Sequence, residues 1–379
     1  MITGLDEYPI HQLPQPLMLP GSSDRNFYDR SYFNGFDRSG AVFFISGIGY
    51  YPNLGTKDAY FMVHRVGADG DIAGGTNTAV HLGEAIDHDR MNQRVGGFSL
   101  EILEPLQKLR LVIDDVEGIS ADLTWNGLFP VAQEEHHLML SAKVRPIIDA
   151  QRFAQVGSWT GALAIDGDEY DVRPDEWMGS RDRSWGIRPV GESEPPGKPA
   201  DPPFDGMWWL YCPVAFDEFF MVFIVQEEPD GFRTLNDVTR IWRDGRVEQM
   251  GWPRIAIDYR SGTRLPTGGV ITCATPEGAE VRVDIEAVMN TATHIGAGYG
   301  GDSGWTHGVW RGEGFVERIT HDLADPEVAG RLPFGLIDST GRFTWHEGGS
   351  ARTGWGLFEH GVLGQHRPSG FTDWFVHAP

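Results

Sequence analysis

Val281-Arg282-Val283-Asp284-Ile285-Glu286-Ala287 puts an apolar side chain at every second position and a charged one between each pair. A strand turns successive side chains to opposite faces, so this stretch reads as a half-buried antiparallel strand with one face in a core and one in water. Phe98-Ser99-Leu100-Glu101-Ile102 repeats the pattern in the first half of the chain. Asp69-Gly70, Asp166-Gly167, Asp230-Gly231 and Asp244-Gly245 lie between apolar runs, and these residue types tolerate the positive φ of tight hairpins. Helical rhythm is scarce, with Asp325 to Leu332 and Glu134 to Ala142 the two short candidates. The expected fold is all-β: a meander of short strands closed into two antiparallel barrels or sandwiches.

At 379 residues the chain exceeds the length at which one core stops growing, so two domains are expected. The break falls at 189–206, rich in proline, glycine and charge, which reads as a linker. The division is then an N-terminal extension at 1–27, a first β-domain at 28–188, the linker, and a second β-domain at 207–379. Cys212 and Cys273 are the two cysteines, both in apolar or strand-like surroundings, and read as buried thiols rather than a bridge. A net charge of -23 argues against nucleic acid and against docking on anionic lipid, since both need a basic face. Asp6 and Glu7 stand in the first twenty residues without a signal-like apolar core, and runs such as Phe219 to Val225 are too short to span a bilayer. No stable membrane insertion is expected, and a cytoplasmic address is the default.

The chemistry-bearing stretch is Trp177-Met178-Gly179-Ser180-Arg181-Asp182-Arg183-Ser184-Trp185-Gly186-Ile187-Arg188-Pro189. Two tryptophans bracket a carboxylate held between two arginines, a combination that suits an apolar pocket with one polar handle. The same residues also suit a domain junction in which Asp182 pins Arg181 and Arg183 and the tryptophans fill core. Aromatic residues crowd the second half as well. Trp208, Trp209, Tyr211, Phe216, Phe219, Phe220 and Phe223 share one hairpin, and Trp305, Trp310, Trp345 and Trp355 recur among glycines. Alternation divides such a set between two faces, so about half are expected to line an interior or a ligand cavity.

Asp182-x-x-Trp185-Gly186 is preceded by an extended Gly/aromatic segment and followed by a second β-patterned half opening Met207-Trp208-Trp209-Leu210-Tyr211. This layout resembles the carotenoid 1,2-hydratase (hydroxyneurosporene synthase) and AttH-like superfamily, which also holds Svf-like proteins, fungal kievitone-type hydratases and lipocalin-like Diels-Alderases. The likeness runs from about Tyr28 to the C-terminus and looks strongest to a bacterial branch sharing Arg-Asp-Arg-Ser-Trp-Gly. It implies two tandem lipocalin-like antiparallel β-barrel domains with little helix. It also implies that an aspartic acid at the position of Asp182 protonates an isoprenoid double bond, whose cation water then quenches. That role needs a carboxyl kept protonated by apolar surroundings, with aromatic faces near the cation. Trp177, Trp185, Trp209 and Tyr211 are the nearest candidates in sequence. Two departures bear on it: Arg181 and Arg183 lower the pKa of a neighbouring carboxyl unless they point away, and Ser180 stands where hydratases of this group often place an aromatic hydroxyl.

Other motifs carry less. Gly301-Asp302-Ser303-Gly304 matches a trypsin-like nucleophile neighbourhood without a histidine partner segment, and Gly296-x-Gly298-x-Gly300-Gly301 lacks the strand and helix of a dinucleotide site, so it reads as a mobile loop or a barrel mouth. Neither His-Glu-x-x-His nor zinc-spaced Cys/His pairs occur, and His136 and His137 as strand neighbours face opposite ways. His294, His307 and His346 lie near tryptophans as possible pocket residues. No metal and no cofactor are expected.

The candidate catalytic residues are Asp182, Tyr211 and His294; the candidate substrate-binding residues are Trp177, Trp185, Trp209, Trp305, Arg181 and Arg183. Two functions fit. One is a cofactor-independent hydratase, isomerase or cyclase, lyase-type acid-base chemistry on a hydrophobic isoprenoid, steroid or polycyclic substrate. The other is a non-catalytic carrier of a hydrophobic ligand, in which Asp182 is structural. The face that Asp182 occupies discriminates them, because a carrier needs no carboxyl at its ligand.

Overall fold

The computed structural model describes residues 2, 4–8, 19–67, 72–141, 145–191, 204–300, 302 and 304–379. Strand accounts for 60% of the protein and helix for 4%, arranged as two curled antiparallel half-barrel sheets of the lipocalin-like kind. The first sheet runs, in spatial order, Phe315–Asp322, Thr76–Ala85, Thr56–Arg65, Val42–Tyr51, Phe27–Asp37, Trp177–Ile187, Arg145–Ile165, Ile119–Gly127, Lys108–Val116, Phe98–Glu104 and Arg94–Val95. The second runs Val247–Gln249, Arg233–Trp242, Phe219–Glu227, Gly206–Ala215, Ser350–Gly364, Ile337–Glu347, Glu280–Ala292, Pro266–Ala274 and Arg254–Tyr259.

Turn chemistry closes the hairpins where the sequence places it. Asp166 (φ 54°) and Gly167 (φ 91°) join Ile165 to its partner Asp168 in a two-residue turn, the geometry that demands positive φ at both positions. Asp69-Gly70 lies outside the described residues, as do 192–203 of the expected linker. Of the two helix candidates, Asp325 caps a single turn, Pro326–Ala329, through its carboxylate and the Glu327 N–H. The other is corrected by the structure: His137–Ser141 is a strand paired with Arg145–Ile165, whose ladder supplies hydrogen bonds that a lone short helix lacks. Chain order and sheet order also part company at one place, since Phe315–Asp322, far along the second half, forms the edge of the first sheet against Thr76–Ala85.

Three large apolar cores and two small clusters result among the described residues. Phe33, Phe44, Trp125, Trp159 and Trp177 fill the first half-barrel, and Trp208, Phe219, Phe223, Phe343 and Trp345 fill the second. A third core, including Tyr32, Phe36, Phe43, Tyr60, Trp209, Tyr211 and Phe220, lies between the sheets. Strands flanking it are buried on both faces, as in Phe219–Glu227, where every residue but the last is buried. This is why the aromatic hairpin reads as a continuous apolar run rather than an alternating one. Each such ring contributes roughly 1.5–3 kcal/mol by burial, so the interface is a substantial part of the fold. Cys212 and Cys273 are buried free thiols in the second core. Among the described residues no helix is long and apolar enough to cross a membrane.

Candidate active site

Register aligns one side chain from each of three neighbouring strands of the first sheet. Tyr32 pairs with Asp182 and Arg30 with Ser184 across one ladder, while Ala154 pairs with Asp182 and Arg152 with Ser184 across the other. Period-2 alternation sends these even-numbered side chains to the same face, toward the second sheet. That sheet answers with Met207, Trp209 and Tyr211 on one strand, Glu359 opposite Tyr211 on the next, and Gln226 opposite Trp209. Between them lies a cavity of about 950 Å³ of atom-free space, its mouth included. Its wall includes Tyr28, Arg30, Tyr32, Glu134, His137, Arg152, Asp182, Arg188, Met207, Trp209, Tyr211, Tyr299, Leu336 and Glu359. An outer pocket, walled in part by Gly298, Gly300 and His307, shares Arg30, Arg188 and Tyr299 with it. The glycine-rich segment therefore forms a mouth: Gly298 has φ +79°, and a Cβ there would stand 2.4 Å from the Trp305 ring, so only glycine lets this loop present Tyr299.

Asp182 lies deep in the molecule yet keeps accessible surface because it borders the cavity. Among the described residues no side chain hydrogen-bonds its carboxyl. Burial raises its pKa, against the opposing pull of Arg152, Arg30, Arg188 and Arg181. Glu134, paired with Arg152, is pushed up to about 7, burial outweighing the guanidinium. Arg152 in turn lies 4.9 Å from the Tyr211 ring centre and 5.8 Å from that of Trp209. Glu359 accepts from the Trp209 indole N–H and faces Asp338 across the strand pair, and Tyr32 donates to Asp338 at 2.7 Å. Burial raises both carboxyls; the charge of Glu359 and the hydrogen bond between the two push Asp338 up strongly, while the same bond opposes the rise at Glu359, so a proton is held between them. The Tyr211 hydroxyl is buried without a hydrogen-bond partner. The site thus offers carboxyls shifted toward neutrality, a free phenol and an aromatic wall, which is equipment for proton transfer on a molecule with little polarity of its own.

The sequence-predicted residues divide by parity. Asp182, Tyr211 and Trp209 meet at the cavity. Arg181, Arg183, Trp177 and Trp185 sit at odd positions of the same strand and take the opposite face. Arg181 binds Glu7 through two bonds of 2.6 and 2.9 Å and the Gln155 carbonyl oxygen at 2.9 Å. Arg183 binds Asp29 and Ser31, each at 2.7 Å. Trp177 fills the first core, and Trp185 packs edge-on to Phe153. Trp305 stacks on His81 with centroids 4.2 Å apart, behind Tyr60, in the interface core rather than on the cavity wall. His294 is held by the backbone carbonyls of Arg331 and Leu336, and burial lowers its pKa. The three histidines do not converge: His307 lines the outer pocket and His346 pairs with Asp284 on the far side of the second sheet. Asp302 of the protease-like motif accepts from Gly296 N–H and Arg331, while Ser303 lies outside the described residues.

Arg30, Glu134, Arg152, Asp338 and Glu359 were not legible as site residues. Arg30, Arg152, Asp338 and Glu359 are single charges at strand positions, and Glu134 follows a short strand beside Glu135, all indistinguishable in sequence from a solvated face. The one available signal was a charged residue inside an otherwise apolar run, as at Glu359 in Gly356-Leu357-Phe358-Glu359.

Among solved structures, the chain is similar to kievitone hydratase from Nectria haematococca, with a TM-score of 0.51 and 10% identity over 98% of each chain. CghA, solved with Sch210972, is similar at a TM-score of 0.48 and 13% identity over 89% of each chain. A putative AttH from Nitrosomonas europaea is similar at 0.48 and 12%, over 88% of this chain and 92% of that one. At 10% identity the first likeness is one of fold. No curated protein sequence matches the chain. A family model described as a family of unknown function (DUF8625) matches residues 2–372.

Proposed function

We propose that this chain, which belongs to the DUF8625 family, is a lyase-type acid-base enzyme, a hydratase, isomerase or cyclase, acting on a hydrophobic small molecule held between its two sheets. The observation that carries the reading is the Asp182 carboxyl: it faces the cavity, has no partner among the described residues, and has a raised pKa. A carrier has no use for such a group, because an unpaired carboxyl at a ligand site weakens the binding of an apolar ligand.

In this reading Asp182 gives a proton to, or takes one from, a carbon of the substrate. The Tyr211 hydroxyl supplies the hydrogen bond its own surroundings do not, and the faces of Trp209 and Tyr211 stabilise positive charge that develops beside them. Glu359, sharing its proton with Asp338, and Glu134, near neutrality, are placed to return or accept the second proton. Isoprenoid, steroid and other polycyclic alkenes suit the aromatic wall. The test is incubation with such alkenes in deuterated water, followed by mass spectrometry for deuterium in the product. Asp182→Asn should keep the melting temperature and lower turnover by roughly 100-fold or more. Unchanged turnover per folded molecule in that variant removes Asp182 from the chemistry and returns the carrier reading.

A further inference from the structure

Two guanidinium groups stand at the neck where the inner cavity meets the outer pocket, Arg30 and Arg188, and both line both spaces. Arg30 is only 4% exposed. Its Nε is buried without a hydrogen-bond partner, and its contact with the Tyr299 hydroxyl is a long one, Nη2 to Oη at 3.5 Å, with its guanidinium carbon 5.3 Å from that ring's centre. Arg188 lies 5.6 Å from the centre of the Tyr28 ring. Among the described residues neither forms an ion pair. Arg181, Arg183 and Arg152, buried on the same strands or the next, each have a carboxylate of their own.

A buried guanidinium without a counter-ion is expensive, and a chain with 54 acidic residues had ample means to supply one. The acids whose charge reaches Arg30 do not close on it. Asp58 is engaged by the Tyr51 hydroxyl and the Gly308 N–H, and Asp182 faces the cavity. The two forks are therefore left with donors aimed into ligand space, a geometry matched to a planar anion.

We infer that Arg30 and Arg188 form a head-group subsite for an organic anion, a carboxylate or an enolate-type oxygen pair, whose apolar body lies along Met207, Trp209, Tyr211 and Leu336. The inference rests on the reading that the cavity binds the substrate, and it narrows that substrate from a pure hydrocarbon to an amphipathic acid. It also orients the molecule: with the head at the neck, the body reaches inward past Asp182.

Calorimetric titration with 2-naphthoate and its neutral analogue 2-naphthylmethanol tests it, using the full chain and the variants Arg188→Gln, Arg30→Met and Asp182→Asn. The acid should bind the wild type about tenfold or more tightly than the alcohol. Arg188→Gln, at a partly exposed position, should cut that preference to about twofold while leaving alcohol affinity unchanged, and Arg30→Met should do the same if it folds. Equal affinity for acid and alcohol, no binding of the acid, or an acid preference that survives Arg188→Gln overturns the inference. Asp182→Asn should retain the acid preference. If that preference holds while Asp182→Asn leaves turnover intact, the subsite stands and the acid-base reading falls.

Discussion

Arg181→Met separates the two arginines' structural work from the chemistry beside them. The substitution strands Glu7, a carboxyl buried to 2% exposure, with the Leu106 N–H as its remaining partner. In the wild type, burial alone raises the Glu7 pKa, but the charge and hydrogen bonds of Arg181, helped by Arg183 and Leu106, carry it below its ordinary 4.5. Without Arg181 the cheapest escape is protonation, and bringing a carboxyl of pKa 4.5 to the neutral form at pH 7 costs about 3.4 kcal/mol. Losing the Gln155 contact adds roughly 1 kcal/mol. The expected loss is therefore about 4 kcal/mol at pH 7, in line with breaking a buried ion pair. At pH 5 the protonation cost is only about 0.7 kcal/mol, so the loss should shrink to about 2 kcal/mol. Wild-type stability from Glu7 does not fade in this window, because a depressed carboxyl keeps its contribution until pH falls through the lowered value. Urea unfolding at pH 7 and pH 5, followed by tryptophan fluorescence, measures both differences. A loss equal at the two pH values, or below about 1 kcal/mol at pH 7, refutes the buried-pair reasoning. Ligand affinity should not change, since Arg181 faces away from the cavity.

Tyr211→Phe removes a hydroxyl that has no partner, so stability should hold or rise by up to about 1 kcal/mol in the same urea assay while turnover falls. Asp58, buried and pushed up to about 7, holds its proton in the folded state but not in the unfolded state between pH 4 and 7, so its own contribution to stability should drop by about 4 kcal/mol across that range, against the opposite trend of the buried histidines. Asp58→Asn should flatten this drop, and an unchanged pH profile of melting temperature would contradict it. Gly298→Ala places a Cβ 2.4 Å from Trp305 at φ +79°, and should cost about 1–3 kcal/mol and weaken ligand binding at the mouth, read by thermal shift and calorimetry.

The sequence alone determined the fold class, because strand periodicity and turn chemistry are local. Alternation at Val281 to Ala287 and the Asp166-Gly167 hairpin need only neighbouring residues to declare themselves. It also singled out Asp182, Trp209 and Tyr211, the aromatic and acidic residues in the two strands that later face each other across the cavity. The same alternation could have removed Trp177, Arg181, Arg183 and Trp185 from that face, since odd and even positions of one strand cannot share a side. Which parity faces the cavity was set by tertiary structure. It depends on Glu7 arriving from the N-terminus to neutralise Arg181 and on the second sheet covering Asp182, contacts more than 150 residues apart in sequence in the first case. Glu134, Arg152, Asp338 and Glu359 come together at or beside the cavity only through ladder register and the meeting of two sheets, and their altered proton affinities arise from burial that no local pattern encodes.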